Sequence, residues 1–262
     1  MYILDKIVAH KKQEVEELKK SNPVKNLEKE IFFSREPFSL SNALEESKNC
    51  GLIAEFKKKS PSKPEINLDA VPREILPQYA FNGATAISIL TDEYFFGGSA
   101  DYIKTGRDFA DIPLLRKDFT IDEYQIIEAK AVGADAILLI AEILTNEQIK
   151  QFTSTAQDLG LSALLELHHE EELDKINLNV DVIGINNRDL RTFTVDFNHS
   201  KSMFEKLPSE ITKISESGIS HPEIVKELMS VGYKGFLIGE HFMASDNPGK
   251  ACVEFINAVK DI

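Results

Sequence analysis

Two glutamates and three cations, each closing or following a short apolar run, carry the chemistry that this sequence offers. In LIAEFKKKSPSKP, residues 52–64, alternate residues of a strand share a face, which puts Ile53, Glu55 and Lys57 on one side and Leu52, Ala54 and Phe56 on the other. A carboxylate and an ammonium at the end of an apolar strand are costly to bury unless they are paired or used. Lys117 ends the run Leu115-Arg116-Lys117, and Glu166 follows Ala163-Leu164-Leu165. A carboxyl in that setting is pushed toward the pKa range useful for proton transfer, and a lysine beside it completes an acid–base pair. Arg188 follows a fourth such run. Three cations converging in a chain of formal net charge -13 point to an anionic substrate. The alternative is that each is a solvated charge neutralised by a neighbour such as Asp118 or Asp189. The Ser-Pro-Ser-Lys-Pro stretch after residue 59 reads as an open loop, not a tight hairpin.

These residues need elements that bring them to one place. From residue 51 onward, short β-branched runs (52–57, 86–90, 113–117, 136–140, 163–167, 182–186, 212–215 and 235–238) alternate with helical ones (72–81, 100–109, 122–132, 146–159, 170–176, 197–207, 222–231 and 248–259). Eight strand–helix units predict α/β architecture, a single (β/α)8 TIM barrel, with a doubly wound open sheet as the competitor. The near-repeats NGATAISILT, VGADAILLIA and VGYKGFLIG each place a glycine where a helix should stop just before a strand. In such a barrel, chemistry sits at the C-terminal strand ends, where all the charged residues named above fall. Glycines there, Gly218 after strand seven and Gly239 before Glu240 after strand eight, suit phosphate binding by backbone N–H groups. Ahead of the barrel, residues 3–20 form an amphipathic helix ended by Ser-Asn-Pro. Residues 1–50 therefore make an N-terminal helical extension to one domain, 1–262, with the barrel at 51–262. The extension is either structural packing or a lid over the pocket.

Composition narrows the function. The acidic balance argues against nucleic-acid binding, which needs a basic footprint. No Walker or dinucleotide fingerprint occurs, so no nucleotide cofactor is indicated. The two cysteines, Cys50 and Cys252, form no zinc or disulfide pattern. His168 and His169, adjacent in a strand, would face opposite sides and not share an ion, so Glu170-Glu171-Glu172 reads as the acidic start of a helix and no metal is expected. No apolar run approaches a membrane span, and a cytoplasmic protein is the default.

The chain resembles the indole-3-glycerol phosphate synthases of tryptophan biosynthesis over nearly its whole length. IAEFKKKSPSK, ILTDEYFFGGS, LLRKDFTIDEYQIIEAKAVGADAILLI, LLELHHEEEL, IGINNRDLRTFTVD, ISESGI and LIGE occur in the family's order. The resemblance implies ring closure of 1-(2-carboxyphenylamino)-1-deoxyribulose 5-phosphate, with loss of carbon dioxide and water, by Lys/Glu acid–base catalysis and with no cofactor. It implies Lys117 as general acid, Glu166 as general base, and Lys57 on the substrate carboxylate with a share of the acid role. Glu55, Asn186 and Ser217 would position reacting groups, Ser60 and Arg188 would meet substrate anions, and Gly218, Gly239 and Glu240 would form the phosphate site. It also implies that the N-terminal helix covers the catalytic end. The expected partner is a small phosphorylated molecule, and the protein is expected to be a monomer, with room for a non-covalent pathway partner. Pro64 and His241 depart from the family, which usually carries glycine and a small residue there. Two other functions compete: a different phosphate-binding barrel such as a sugar-phosphate isomerase, which would not need lysines on strands one and three with a glutamate on five, and a non-enzymatic barrel, which should have lost some of these groups.

Overall fold

The computed structural model describes residues 2–189 and 191–261. Eight parallel strands close on themselves in sequence order: β1 (Leu52–Phe56), β2 (Ala86–Leu90), β3 (Leu114–Lys117), β4 (Ala136–Ile140), β5 (Ser162–Leu167), β6 (Val182–Asn186), β7 (Thr212–Glu216) and β8 (Gly235–Ile238). The register closes where Ile53 of β1 lies beside Leu237 of β8, which excludes the open sheet. Every strand is buried on both faces apart from the half-buried end of β3, as continuous apolar runs in a parallel sheet require. The outward faces pack under the helices, while Ile53, Leu115, Leu138, Leu164, Val182, Ile214 and Leu237 fill the barrel interior.

Helices α1 (Ile3–Ser21), α2 (Val24–Leu27) and α3 (Leu40–Glu45) precede the barrel, and α4 (Pro72–Phe81), α5 (Glu93–Phe96), α6 (Asp101–Arg107), α7 (Glu123–Val132), α8 (Asn146–Asp158), α9 (Phe197–Phe204), α10 (Pro222–Val231), α11 (Glu240–Met243) and α12 (Pro248–Asp261) follow. The repeat glycines stop their helices as the pattern predicts, with φ of 94° at Gly83, 92° at Gly133 and 125° at Gly232. Two short helices, α5 and α11, were not legible in the sequence, and the run at 170–176 is a 3₁₀ turn (Glu170–Lys175), not an α-helix. Strand β7 runs one residue past its expected end, to Glu216. The Ser60–Lys63 segment also departs from expectation. Ser60 N–H donates to the Lys63 carbonyl at 2.9 Å and Lys63 N–H donates back at 3.0 Å, so the loop opens with a tight antiparallel turn around Pro61-Ser62. Proline suits a turn's second position, and the Ser60 hydroxyl accepts a further bond from Lys63 N–H at 3.1 Å.

The extension divides between the two ends of the barrel. Leu40 and Leu44 of α3 plug the N-terminal end, where Leu40 N–H donates to Ser162 Oγ at the start of β5 and Leu44 lies against Gly235 at the start of β8. In contrast, Ile3, Leu4 and Ile7 of α1 lie at the opposite mouth. Lys11 holds α1 there. Its side chain is 1% exposed, with Nζ 2.9 Å from Asp92, 3.0 Å from Asp118 and 2.9 Å from Glu14. Burial alone would push the Asp118 carboxyl up, but Lys11 and Arg116 together hold it down at about 2. The sequence pattern put Lys11 among the solvated charges of an amphipathic helix. It is buried because two strand-end aspartates wait beneath it. No helix among the described residues is long and apolar enough to cross a membrane.

Candidate active site

The C-terminal mouth of the barrel holds a cavity of about 620 Å³. Glu55, Lys57, Ser60, Lys117, Glu166, Asn186, Arg188, Ser217, Gly218, Gly239 and Glu240 all line it. Period-2 geometry explains the convergence: on each strand the charged residue sits two places beyond an apolar interior residue, as Glu55 follows Ile53 and Glu166 follows Leu164. The last inward layer of a barrel filled with aliphatic side chains is thus polar.

Lys117 is the centre of this layer. Its Nζ contacts Glu166 directly and lies 2.8 Å from Glu216. Glu166 is 3% exposed and Glu216 is 1% exposed, so the three groups form a buried triad with one positive charge for two carboxyls. Burial disfavours both anions. Glu166 is nonetheless held well below the usual carboxylate range by Lys117 and by His168. Glu216 gains less from Lys117, is repelled by Glu166, and is pushed up to about 7. Two carboxyls with one cation and divergent environments define a proton donor and a proton acceptor around the same lysine. Burial pushes Lys117 down but its three glutamates, Glu166, Glu216 and Glu55, more than reverse that, and it stays charged.

Across the mouth, Lys57 Nζ donates to Glu55 Oε1 at 2.6 Å, while Ser88 Oγ donates to the other oxygen of Glu55 at 3.3 Å. Asn186 Nδ2 donates to Glu166 Oε1 at 3.2 Å, and Asn186 Oδ1 accepts from Arg188 N–H at 3.0 Å. Ser217 has φ of 70°, a left-handed conformation uncommon for a side-chain-bearing residue and typical of functional turns. Arg188 Nη2 lies 3.6 Å from Glu240, and Lys63 reaches the same carboxylate at 3.2 Å. The neutralising partners anticipated from sequence are engaged elsewhere: Asp118 with Lys11 and Arg116, Asp189 with Arg191. Lys117 and Arg188 pair instead with glutamates of the mouth and line the cavity with them.

Two glycines make the polar layer possible. A Cβ at Gly239 would stand 2.6 Å from Glu55 Oε1 and 2.9 Å from its Cβ. A Cβ at Gly184 would stand 2.0 Å from Glu216 Oε1. Gly184→Ala is therefore expected to swing the Glu216 carboxyl off Lys117 while leaving the strand in place. Turnover should fall at least tenfold with a melting shift of only a few degrees, checked by steady-state kinetics beside thermal denaturation.

Glu216 was visible in the sequence but received no role, because strand seven seemed to end one residue too early. Its place two residues after Ile214 was the signal that could have found it. His168, placed by the sequence beside His169 at a strand end with no role, has its Nε2 3.2 Å from Glu166 Oε1. The apolar wall of Ile3, Leu4, Ile7, Phe96, Phe119, Leu138 and Ile140 could not be assembled from sequence, since its members lie up to 137 residues apart in the chain. His241 joins the lining and packs edge-on to Phe242 and Phe255. Glu142, His168 and Glu172 bring possible metal-ligating atoms within 4.8 Å of one another. Glu172 Oε2, however, already accepts the N–H groups of His168 at 2.6 Å and His169 at 3.2 Å, which makes it a cap for the 3₁₀ turn.

A closed (β/α)8 barrel whose C-terminal mouth couples a lysine to two unlike carboxyls, beside an apolar wall and two further cations, is built as an acid–base enzyme for an anionic substrate. The sequence model of indole-3-glycerol phosphate synthase matches residues 4–255. The chain is 48% identical to the indole-3-glycerol phosphate synthase of Bacteroides thetaiotaomicron over 98% of its own length and 99% of that protein. It is 45% identical to that of Salinibacter ruber, over 96% of this chain and 94% of the other. Among solved structures, a mutant tryptophan synthase alpha-subunit from Pyrococcus furiosus superposes with a TM-score of 0.62 at 16% identity, covering 82% of this chain and all of that one, a likeness of fold alone. The chain belongs to the indole-3-glycerol phosphate synthase family.

Proposed function

We propose that the mouth cavity performs the family's reaction through a defined division of labour. The reaction closes the ring of 1-(2-carboxyphenylamino)-1-deoxyribulose 5-phosphate and releases carbon dioxide and water. The single observation that carries the reading is the contact of Lys117 with both Glu166 and Glu216 in the last layer of the barrel. Lys117 delivers protons to the ketone oxygen and then to the departing hydroxyl, stabilising negative charge as it develops. Glu166, kept anionic, takes the methylene proton that aromatises the new ring. Glu216, poised near neutrality, keeps the lysine charged and centred.

Lys57, oriented by Glu55, holds the substrate carboxylate and shares the acid role, a use for a second lysine that the isomerase reading lacks. The apolar wall takes the aromatic ring, and Asn186 and Ser217 position the reacting groups. Ser60 and Arg188 meet substrate anions. Backbone N–H groups at Gly218, Gly239 and Glu240 hold the phosphate, with the start of α11 behind them. The α1 helix serves as the lid of a protein we place in the cytoplasm, acting on a phosphorylated small molecule, without nucleic acid or membrane, as a monomer.

The assay follows from composition, since the chain contains no tryptophan. Indole fluorescence should rise from a low background when the folded protein meets this substrate. A flat trace from a sample with an intact circular dichroism spectrum would refute the proposal.

A further inference from the structure

Ring closure with decarboxylation is not proton-neutral. As the new carbon–carbon bond forms, the carbonyl π pair moves to oxygen, which takes up one proton. The bond to the carboxylate then breaks, its electron pair restores the aromatic ring, and carbon dioxide departs. The hydroxyl leaves as water with a second proton, and the neighbouring methylene gives one proton back. Two protons are delivered and one is recovered. Lys117 and Glu166 touch, so the recovered proton can be recycled between them. The other must come from solvent each turnover, to a pair that is buried and whose mouth is filled by substrate.

Resting on the reading above, we propose that His168 and Glu142 supply this proton through the wall of the barrel, along a path from solvent to the rear oxygen of Glu166. Glu166 Oε2 faces Lys117, while Oε1 faces Asn186 and, at 3.2 Å, His168 Nε2. The imidazole follows β5 and is 3% exposed. Its other nitrogen, Nδ1, lies 4.0 Å from Glu142 Oε2, a gap that a turn of the glutamate or one bridging water closes. Glu142 sits on the turn after β4 and reaches solvent.

Neither ring nitrogen has an aligned hydrogen-bond partner among the described residues, although both are buried. A buried polar ring without straight partners is rare in a purely structural role. A small rotation aligns Nε2–H with Glu166, and imidazole can accept a proton at one nitrogen while donating from the other. The charged groups around it favour such traffic. Burial opposes the imidazolium, but Glu166, Glu172 and Glu142 together raise the pKa of His168. His169, whose ring centre is 6.2 Å away and which leans on Arg191 at 3.1 Å, adds no carboxylate. His199 on α9 is itself kept toward neutrality by burial and by the two neighbouring histidines.

Glu142→Gln and His168→Ala test the path in the full-length protein. For Glu142→Gln, kcat should fall roughly 10- to 100-fold with KM within about twofold, and should become dependent on buffer concentration as buffer acids replace the carboxyl. For His168→Ala, kcat should fall similarly and recover with added imidazole. The proposal requires both. Parental or buffer-independent kcat in Glu142→Gln overturns it, as does a folded His168→Ala variant that imidazole does not rescue. If His168→Ala fails to fold, Glu142→Gln decides alone. Failure of the underlying functional reading would look different, because the unsubstituted protein would then form no indole product.

Discussion

Glu166→Gln is expected to abolish turnover and leave the fold intact, and Lys117→Ala to do the same. The amide has the shape of the carboxyl and keeps one acceptor for Lys117; its NH2 meets Asn186, which donates to Glu166 in the unsubstituted protein, only after that amide turns over, a local adjustment that leaves the barrel's packing undisturbed. What it removes is the carboxyl that Lys117 and His168 keep ionised. Glu216 loses the repulsion of Glu166 that helped to push it up and pairs with Lys117 as a carboxylate, but it stands on β7, two strands from the position of the lost base, and is a poor substitute. Lys117→Ala removes the donor and leaves Glu166 and Glu216 facing each other; the two carboxyls then share a proton, which blunts the cost of burying them. A positioned acid or base contributes about 10²–10⁴-fold, so each variant should lose at least that much in kcat/KM. Product fluorescence measured beside circular dichroism decides the matter. Near-parental rates in either variant would make the triad an ion-pair network with a structural role only. Loss of the folded signal in Glu166→Gln would point the same way.

The second large effect concerns the extension, and it depends on where the chain is cut. Removing residues 1–22 takes away α1 with Ile3, Leu4, Ile7 and Lys11. Asp92 and Asp118 then lose a buried partner but gain water, and Arg116 stays 3.2 Å from Asp118. Substrate binding should weaken tenfold or more while the barrel still melts cooperatively. Removing residues 1–45 also withdraws Leu40 and Leu44 from the barrel floor, where they are 0% and 2% exposed against Ile53, Leu164, Val182 and Ile214. Each buried leucine lost costs about 2–5 kcal/mol, against a total stability of about 5–15 kcal/mol. The longer deletion should therefore fail to give a cooperative transition in differential scanning calorimetry. Equal binding losses and equal melting temperatures for the two deletions would refute this split between lid and plug.

The same split marks where the sequence stopped being legible. Eight apolar runs alternating with helical ones, many of them glycine-punctuated, determined the barrel, because strands buried on both faces and helices buried on one leave different periodicities. Barrel geometry then determined that Glu55, Lys117, Glu166, Asn186 and Arg188 meet at one mouth, since all stand at or just beyond C-terminal strand ends. Those inferences need only local pattern and one topological rule. What the tertiary structure decided are relations between residues that no local pattern links. Lys11 is buried rather than solvated because Asp92 and Asp118, 81 and 107 residues further on, lie beneath it. Glu216 joins the triad because the register of β7 against β6 leaves an empty Cβ position at Gly184 for its carboxyl. His168 backs Glu166, and α3 sits at the opposite end of the barrel from α1, because packing, not spacing, sets which surfaces touch. Side-chain periodicity fixes the face of an element; the partner on that face is settled only when the elements close around one core.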